Sequence, residues 1–123
     1  MNVHSNQGFP ARFGFALRGL AHAAKTQNSL RLQGLALLAL LVTLAVLRPP
    51  PVWWALLLLA SGAVLAAELL NTAIEELADA LHPEDSPAIG RVKDCAAAAV
   101  LIASLAALGV AAAFVMHCAL LRN

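Results

Sequence analysis

The chain has 123 residues, 61% of them hydrophobic and only 12% charged, with a mean hydropathy of +0.78. It is too apolar for a soluble globular domain and too short for more than one, which leaves a small integral membrane protein. The net charge of +1 says little in total, but all seven acids (Glu68, Glu75, Glu76, Asp79, Glu84, Asp85 and Asp94) lie between residues 68 and 94.

In chain order, residues 1–10 are polar and read as a short flexible tail, with no cleavable apolar core behind them and hence no signal peptide expected. Over residues 11–31, Phe13, Leu17, Leu20, Ala21 and Ala24 share one helical face while Arg18, His22 and Lys25 lie opposite. That pattern predicts an amphipathic helix in the membrane surface, with a plain solvated helix as the alternative. Phe15 breaks the pattern by pointing to the polar side.

The first apolar run, residues 32–47, is flanked by Arg31 and Arg48 and would make about 24 Å of helix, so the arginines are expected to snorkel to the interfaces. Pro49, Pro50 and Pro51 end it. A second run, 52–67, opens with Trp53 and Trp54, which prefer the headgroup level, and continues as helix to residue 81, past the hydrocarbon. It breaks near His82 and Pro83, and Ser86 or Asp85 is expected to cap the third helix, 88–121. That helix carries an Ala-rich apolar run, 95–121, whose small residues permit close packing. The fold expected is all-α: three transmembrane helices plus the N-terminal surface helix, in one domain.

Charge orients these spans. Arg12, Arg18, Lys25 and Arg31 precede the first and Arg91 and Lys93 the third, against Arg48 and Arg122 on the other side. The excess of basic residues predicts a cytoplasmic N-terminus and a cytoplasmic acidic turn, with the C-terminus outside.

Glu68, Asn71, Glu75 and Asp79 stand at i, i+3, i+7 and i+11 of the second helix and share an arc of about 80°. Ionisable groups in or beside a spanning helix are costly and mark function by default. Their hard oxygens are of the kind Mg²⁺ takes alongside nucleotide phosphates. Gly90, Arg91, Lys93 and Asp94 supply the complement: two cations for phosphate, another carboxylate, and a glycine that allows close backbone approach. The alternative is a solvated helix extension paired with Arg91 and Lys93. Glu68 weighs against that, since it directly follows the apolar run and should sit deepest.

The remaining signals are negative. The seven glycines form neither a P-loop nor a Rossmann fingerprint, and no nucleophilic serine or cysteine motif occurs. His4, His22, His82 and His117 lack paired metal spacing and read as interface or loop residues, and Cys95 and Cys118 as buried small hydrophobes.

The segment Ala67-Glu68-Leu69-Leu70-Asn71-Thr72-Ala73-Ile74-Glu75, then Asp79, then Gly90-Arg91-Val92-Lys93-Asp94 and the Ala-rich span, closely resembles the prokaryotic diacylglycerol kinase and undecaprenol kinase family. The likeness covers roughly residues 12–117 and includes Ala16-Leu17-Arg18-Gly19-Leu20. It implies a homotrimer in a bacterial cytoplasmic membrane, with active sites shared between neighbouring subunits, MgATP as phosphoryl donor and a lipid alcohol as acceptor. No nucleic-acid partner is expected. By position, the resemblance makes Glu68 the general base, with Asn71 orienting the hydroxyl or the phosphate. Glu75 matches a metal ligand, and Asp79, Lys93, Asp94 and, less directly, Gly90 and Arg91 match groups that organise the nucleotide and its phosphates.

Two positions depart from the family pattern. Gln27 stands where a second metal-ligating glutamate is usual, and Gln33 where Glu or His is common. An amide oxygen can still ligate a metal but carries no charge, so Gln27 implies weaker metal affinity, compensation by a carboxylate such as Glu76, or lost or redirected activity. For the acceptor, the stripe and the proline-bearing turn lean to undecaprenol and the Gly90 segment to diacylglycerol, which is placed slightly ahead. A non-catalytic membrane assembly or lipid-binding protein with the same fold is the reading from another class.

Overall fold

The computed structural model describes residues 8–84 and 86–121 and is all-helical within them: α1 (Phe9–Thr26), α2 (Asn28–Leu47), α3 (Pro51–Leu81) and α4 (Pro87–Leu120). Three of these, α2, α3 and α4, are long and apolar enough to cross a membrane. At 31 and 34 residues, α3 and α4 reach about 46 and 51 Å, well beyond the roughly 30 Å of a hydrocarbon core.

Local chemistry sets the element ends. Pro10 lies in the first turn of α1, where its missing N–H is no loss, so α1 begins at Phe9, inside the stretch expected to be tail. Residues 1–7 of that tail, Asp85 as a candidate cap, and Arg122 and Asn123 lie outside the described residues. Pro51 opens α3 in the same way. Ser86 is the N-cap of α4, its hydroxyl accepting from the Ala88 N–H at 3.3 Å. α2 ends on Arg48 in the left-handed region (φ 47°, ψ 52°), whose N–H bonds to the Leu44 carbonyl at 2.9 Å. An arginine is strained there; Pro49, directly after it, disfavours a helical conformation at Arg48.

One boundary differs from the sequence reading. The helix expected over 11–31 breaks at Gln27, extended at φ −110° and ψ 116°, and the residues from Asn28 onward belong to α2. Gln27 serves both helices: its N–H closes α1 on the Ala23 carbonyl at 2.8 Å and its carbonyl takes the Arg31 N–H at 3.4 Å. The Arg31 guanidinium also bonds the Asn28 side chain across the first turn of α2. Neither Gly nor Pro marks this break.

α3 and α4 form an antiparallel pair and hold the main packing, with α2 and α1 laid more sparsely against α3. The core lies at the end of the bundle nearest the prolines: Leu44, Leu57 and Phe114 are buried, with Leu40, Trp53, Trp54, Val110, Ala111 and Cys118 against them. The Trp53 ring packs on Phe114 at 5.4 Å and on His117 at 5.2 Å between centroids, so His117 is a helix residue in an aromatic contact and not a loop residue. In α1, Arg18 stacks 4.7 Å over the Phe15 ring, which explains an aromatic on the cationic side. Phe9, Phe13, Leu17 and Leu20 of α1 are exposed, as are Leu35, Leu59, Leu101, Ile102 and Leu108 of the spans. Cys95 is likewise exposed and not buried as expected, because it opens on the groove between α3 and α4. So much apolar surface on one chain requires lipid or other subunits to cover it.

Candidate functional site

The second half of α3 carries the acidic stripe, and its first member is the most enclosed. Glu68 is 9% exposed and accepts a hydrogen bond from Gln33 Nε2 of α2 at 2.9 Å. One turn on, Asn71 donates from Nδ2 to Glu75 Oε1 at 3.0 Å, while its own Oδ1 is buried without a partner among the described residues. Thr72, 5% exposed, packs the same stretch of helix. Asp79, a further turn towards the helix end, pairs with Lys93 Nζ of α4. The pair is well exposed, so its contribution to stability is about 0–1 kcal/mol and its worth lies in placing a cation beside the stripe.

The other expected residues are spread around this line. Arg91 reaches the same α3–α4 groove as Asn71, an open trough of about 1010 Å³ lined mostly by alanines and other apolar side chains. Gly90 and Lys93 line a separate hollow of about 300 Å³ with Asp79, His82 and Ser86. Among the described residues nothing lies within 4 Å of where a Cβ on Gly90 would stand, so no contact among them calls for glycine. Asp94 is exposed on α4. Gln27, half-buried at the α1–α2 junction, is not joined to Glu75 by any hydrogen bond among the described residues.

The single chain thus brings together Glu68 with Gln33, Asn71 with Glu75, and Asp79 with Lys93. Among the described residues no three His, Cys, Asp or Glu side chains are grouped to hold a metal. The donor set nevertheless fits Mg²⁺, which keeps several waters and needs only one or two protein oxygens beside phosphate. Glu75 offers a carboxylate oxygen and the unpartnered Asn71 Oδ1 lies on the same helix face, one turn away.

Two contacts were not read from the sequence. Gln33 had been noted only as a substitution, although an amide in an apolar span is itself a signal. His22 Nε2 and Glu76 Oε1 lie 2.8 Å apart and tie α1 to α3, which engages Glu76 with α1.

The chain matches the family described as prokaryotic diacylglycerol kinase over residues 14–115. It is also similar to a diacylglycerol kinase of Synechocystis sp., 32% identical over 96 residues, a match covering 77% of this chain and 55% of the relative. The chain therefore spans about half the length of that relative. With the family matched across both the stripe of α3 and the basic start of α4, this multi-pass membrane chain belongs to the prokaryotic diacylglycerol kinase family.

Proposed function

We propose that this chain is an ATP-dependent lipid kinase that transfers the γ-phosphoryl group to the hydroxyl of a membrane lipid alcohol, diacylglycerol first among them, giving phosphatidate. The observation that carries the reading is Glu68: a carboxylate 9% exposed, at the end of an apolar run, with polar groups continuing along one helix face only beyond it. A base at that depth meets a hydroxyl that arrives from the lipid side, while the nucleotide arrives from water.

In the transfer, the acceptor O–H bond breaks and its proton passes to the Glu68 carboxylate as the oxygen attacks the γ-phosphorus. The new P–O bond forms as the bond to the departing ADP oxygen breaks. Phosphoryl transfer asks mainly for positioning and charge stabilisation, and the remaining residues are of those kinds. Asn71 orients the hydroxyl or the phosphate, and Lys93 and Arg91 face the phosphate oxygens. Asp79 and Asp94 hold those cations and the nucleotide in place, and the open face of Gly90 lets backbone come close to it. Glu75 would hold Mg²⁺, with the Gln27 amide oxygen as a weaker ligand. The metal supplies charge neutralisation of the phosphates.

The apolar surface left on each subunit supports a homotrimer in which neighbouring subunits complete each other's sites. The exposed Phe9, Phe13, Leu17 and Leu20 of α1 support an interfacial surface helix. The basic count places the N-terminus and the acidic turn in the cytoplasm, on the ATP side of a bacterial inner membrane. The test is phosphorylation of a panel of lipid alcohols, including diacylglycerol and undecaprenol, by purified protein with labelled ATP and Mg²⁺. Diacylglycerol should be the preferred acceptor; a preference for undecaprenol would change the substrate, and no transfer to any alcohol would overturn the reading.

A further inference from the structure

Between residues 32 and 47, α2 is apolar apart from Gln33, Gly34 and Thr43. Thr43 satisfies its hydroxyl within the helix, on the Ala39 carbonyl at 2.9 Å. Gln33 instead reaches across to α3, where its Nε2 donates to Glu68 Oε1 at 2.9 Å, and its own Oε1 stays buried without a partner among the described residues. A half-satisfied buried amide packs two helices less well than a leucine of similar volume, so packing gives no reason for glutamine here. Its polar engagement is with Glu68.

Among the described residues Gln33 is the single side chain hydrogen-bonded to Glu68, while the neighbouring candidates are engaged elsewhere: His22 with Glu76, Lys93 with Asp79, Arg31 with Asn28. A free carboxylate turns easily about its last torsion, whose energy wells are broad. Tying Oε1 to α2 fixes the carboxylate plane and leaves Oε2 as the oxygen presented to an incoming hydroxyl. General-base transfer needs heavy atoms about 2.6–3.2 Å apart, and a displacement of about 1 Å costs on the order of 100-fold in rate.

We propose that Gln33 is a positioning residue that holds the Glu68 carboxylate in the orientation for proton abstraction, a role that rests on the lipid-kinase reading above. The amide acts through Glu68 and does not itself touch the reacting atoms.

Steady-state phosphorylation by the full-length protein in mixed micelles tests it, with Gln33→Met, Gln33→His, Glu68→Gln and the Gln33→Met, Glu68→Gln double variant. Gln33→Met should lower kcat about 10- to 100-fold, the scale of a lost hydrogen bond to a charged group, with KM for ATP and for the lipid within about twofold. Gln33→His, whose ring N–H has a similar reach, should recover most of kcat. In the Glu68→Gln background Gln33→Met should cost nothing further, because the two side chains act as a unit. Where Gln33→Met does not fold, Gln33→Asn, one methylene short of Glu68, carries the same expectation. A kcat within about twofold of wild type in the Met or Asn variant overturns the role, as does an equal loss in the Glu68→Gln background, which would mark a structural effect. Absence of transfer by the wild type overturns the kinase reading and this role together, whereas an active wild type indifferent to Gln33 overturns the role alone.

Discussion

Glu68→Gln separates chemistry from architecture. The substitution keeps the shape of the side chain, and its amide oxygen still accepts from Gln33 Nε2, the bond that measures 2.9 Å in the wild type. What is lost structurally is the charge assistance of that bond, the step from about 1.5–3 kcal/mol down to about 0.5–1.5, or roughly 1 kcal/mol. Relief from burying a charge at 9% exposure beside the hydrocarbon acts in the other direction. The thermal midpoint should therefore move by no more than about 5 °C. Chemistry changes far more. An amide takes no proton from the acceptor, and general-base contributions of about 10² to 10⁴ correspond to roughly 2.7–5.4 kcal/mol on the barrier. The assay is turnover of labelled ATP with Mg²⁺ and a lipid alcohol, alongside nucleotide affinity and the mass of the assembled protein, both of which should match wild type. Turnover within about threefold of wild type would refute the assignment of Glu68 as base.

Topology is checked with an impermeant thiol reagent on Glu84→Cys in a background lacking Cys95 and Cys118: protection in sealed cells and labelling after permeabilisation are expected, and ready labelling in sealed cells would reverse the orientation. Gln27→Glu should lower the Mg²⁺ concentration for half-maximal activity by about threefold or more, since it adds a full charge beside the metal; unchanged Mg²⁺ dependence would place Gln27 outside the metal shell. Arg48→Gly should raise the thermal midpoint by a few degrees, because the left-handed conformation costs a non-glycine residue about 1–2 kcal/mol, offset in part by the greater freedom of glycine when unfolded; a midpoint that falls would mean Arg48 contributes more by its side chain than it costs by its backbone.

What could be read from the sequence divides along physical lines. The three spans were legible because apolar runs and prolines act locally: Pro51 and Ser86 begin their helices almost where their chemistry says they should. The stripe was legible because Glu68, Asn71, Glu75 and Asp79 keep one helical period. The Gln27 break was not, since its extended backbone replaces the usual Gly or Pro signal with a residue equally at home in a helix. Nor were the bonds from Gln33 to Glu68 and from His22 to Glu76, which join residues 35 and 54 positions apart and depend on how α1 and α2 lie against α3. Phe15 reads from the sequence as an anomaly, and the stacked Arg18 guanidinium gives it a partner on the cationic side.

The locked Trp53 ring has a bearing on how the surrounding lipid would govern this protein. Trp53 is fixed to Phe114 and His117 at one end of α3, and Glu68 follows it by 15 residues on the same unbroken helix, about 22 Å along the axis. Glu75 follows at about 33 Å, so a hydrocarbon layer of about 30 Å measured from Trp53 ends between them, with Glu68 submerged and Glu75 in the headgroups. The helix is in effect a ruler that gauges bilayer thickness. Acyl chains that thicken the layer by about 5 Å would draw Glu75 under, and chains that thin it by about 8 Å would lift Glu68 to the surface, unless tilt absorbs the mismatch. Turnover in vesicles of graded chain length should accordingly pass through a maximum, set by the spacing between one indole and two carboxylates.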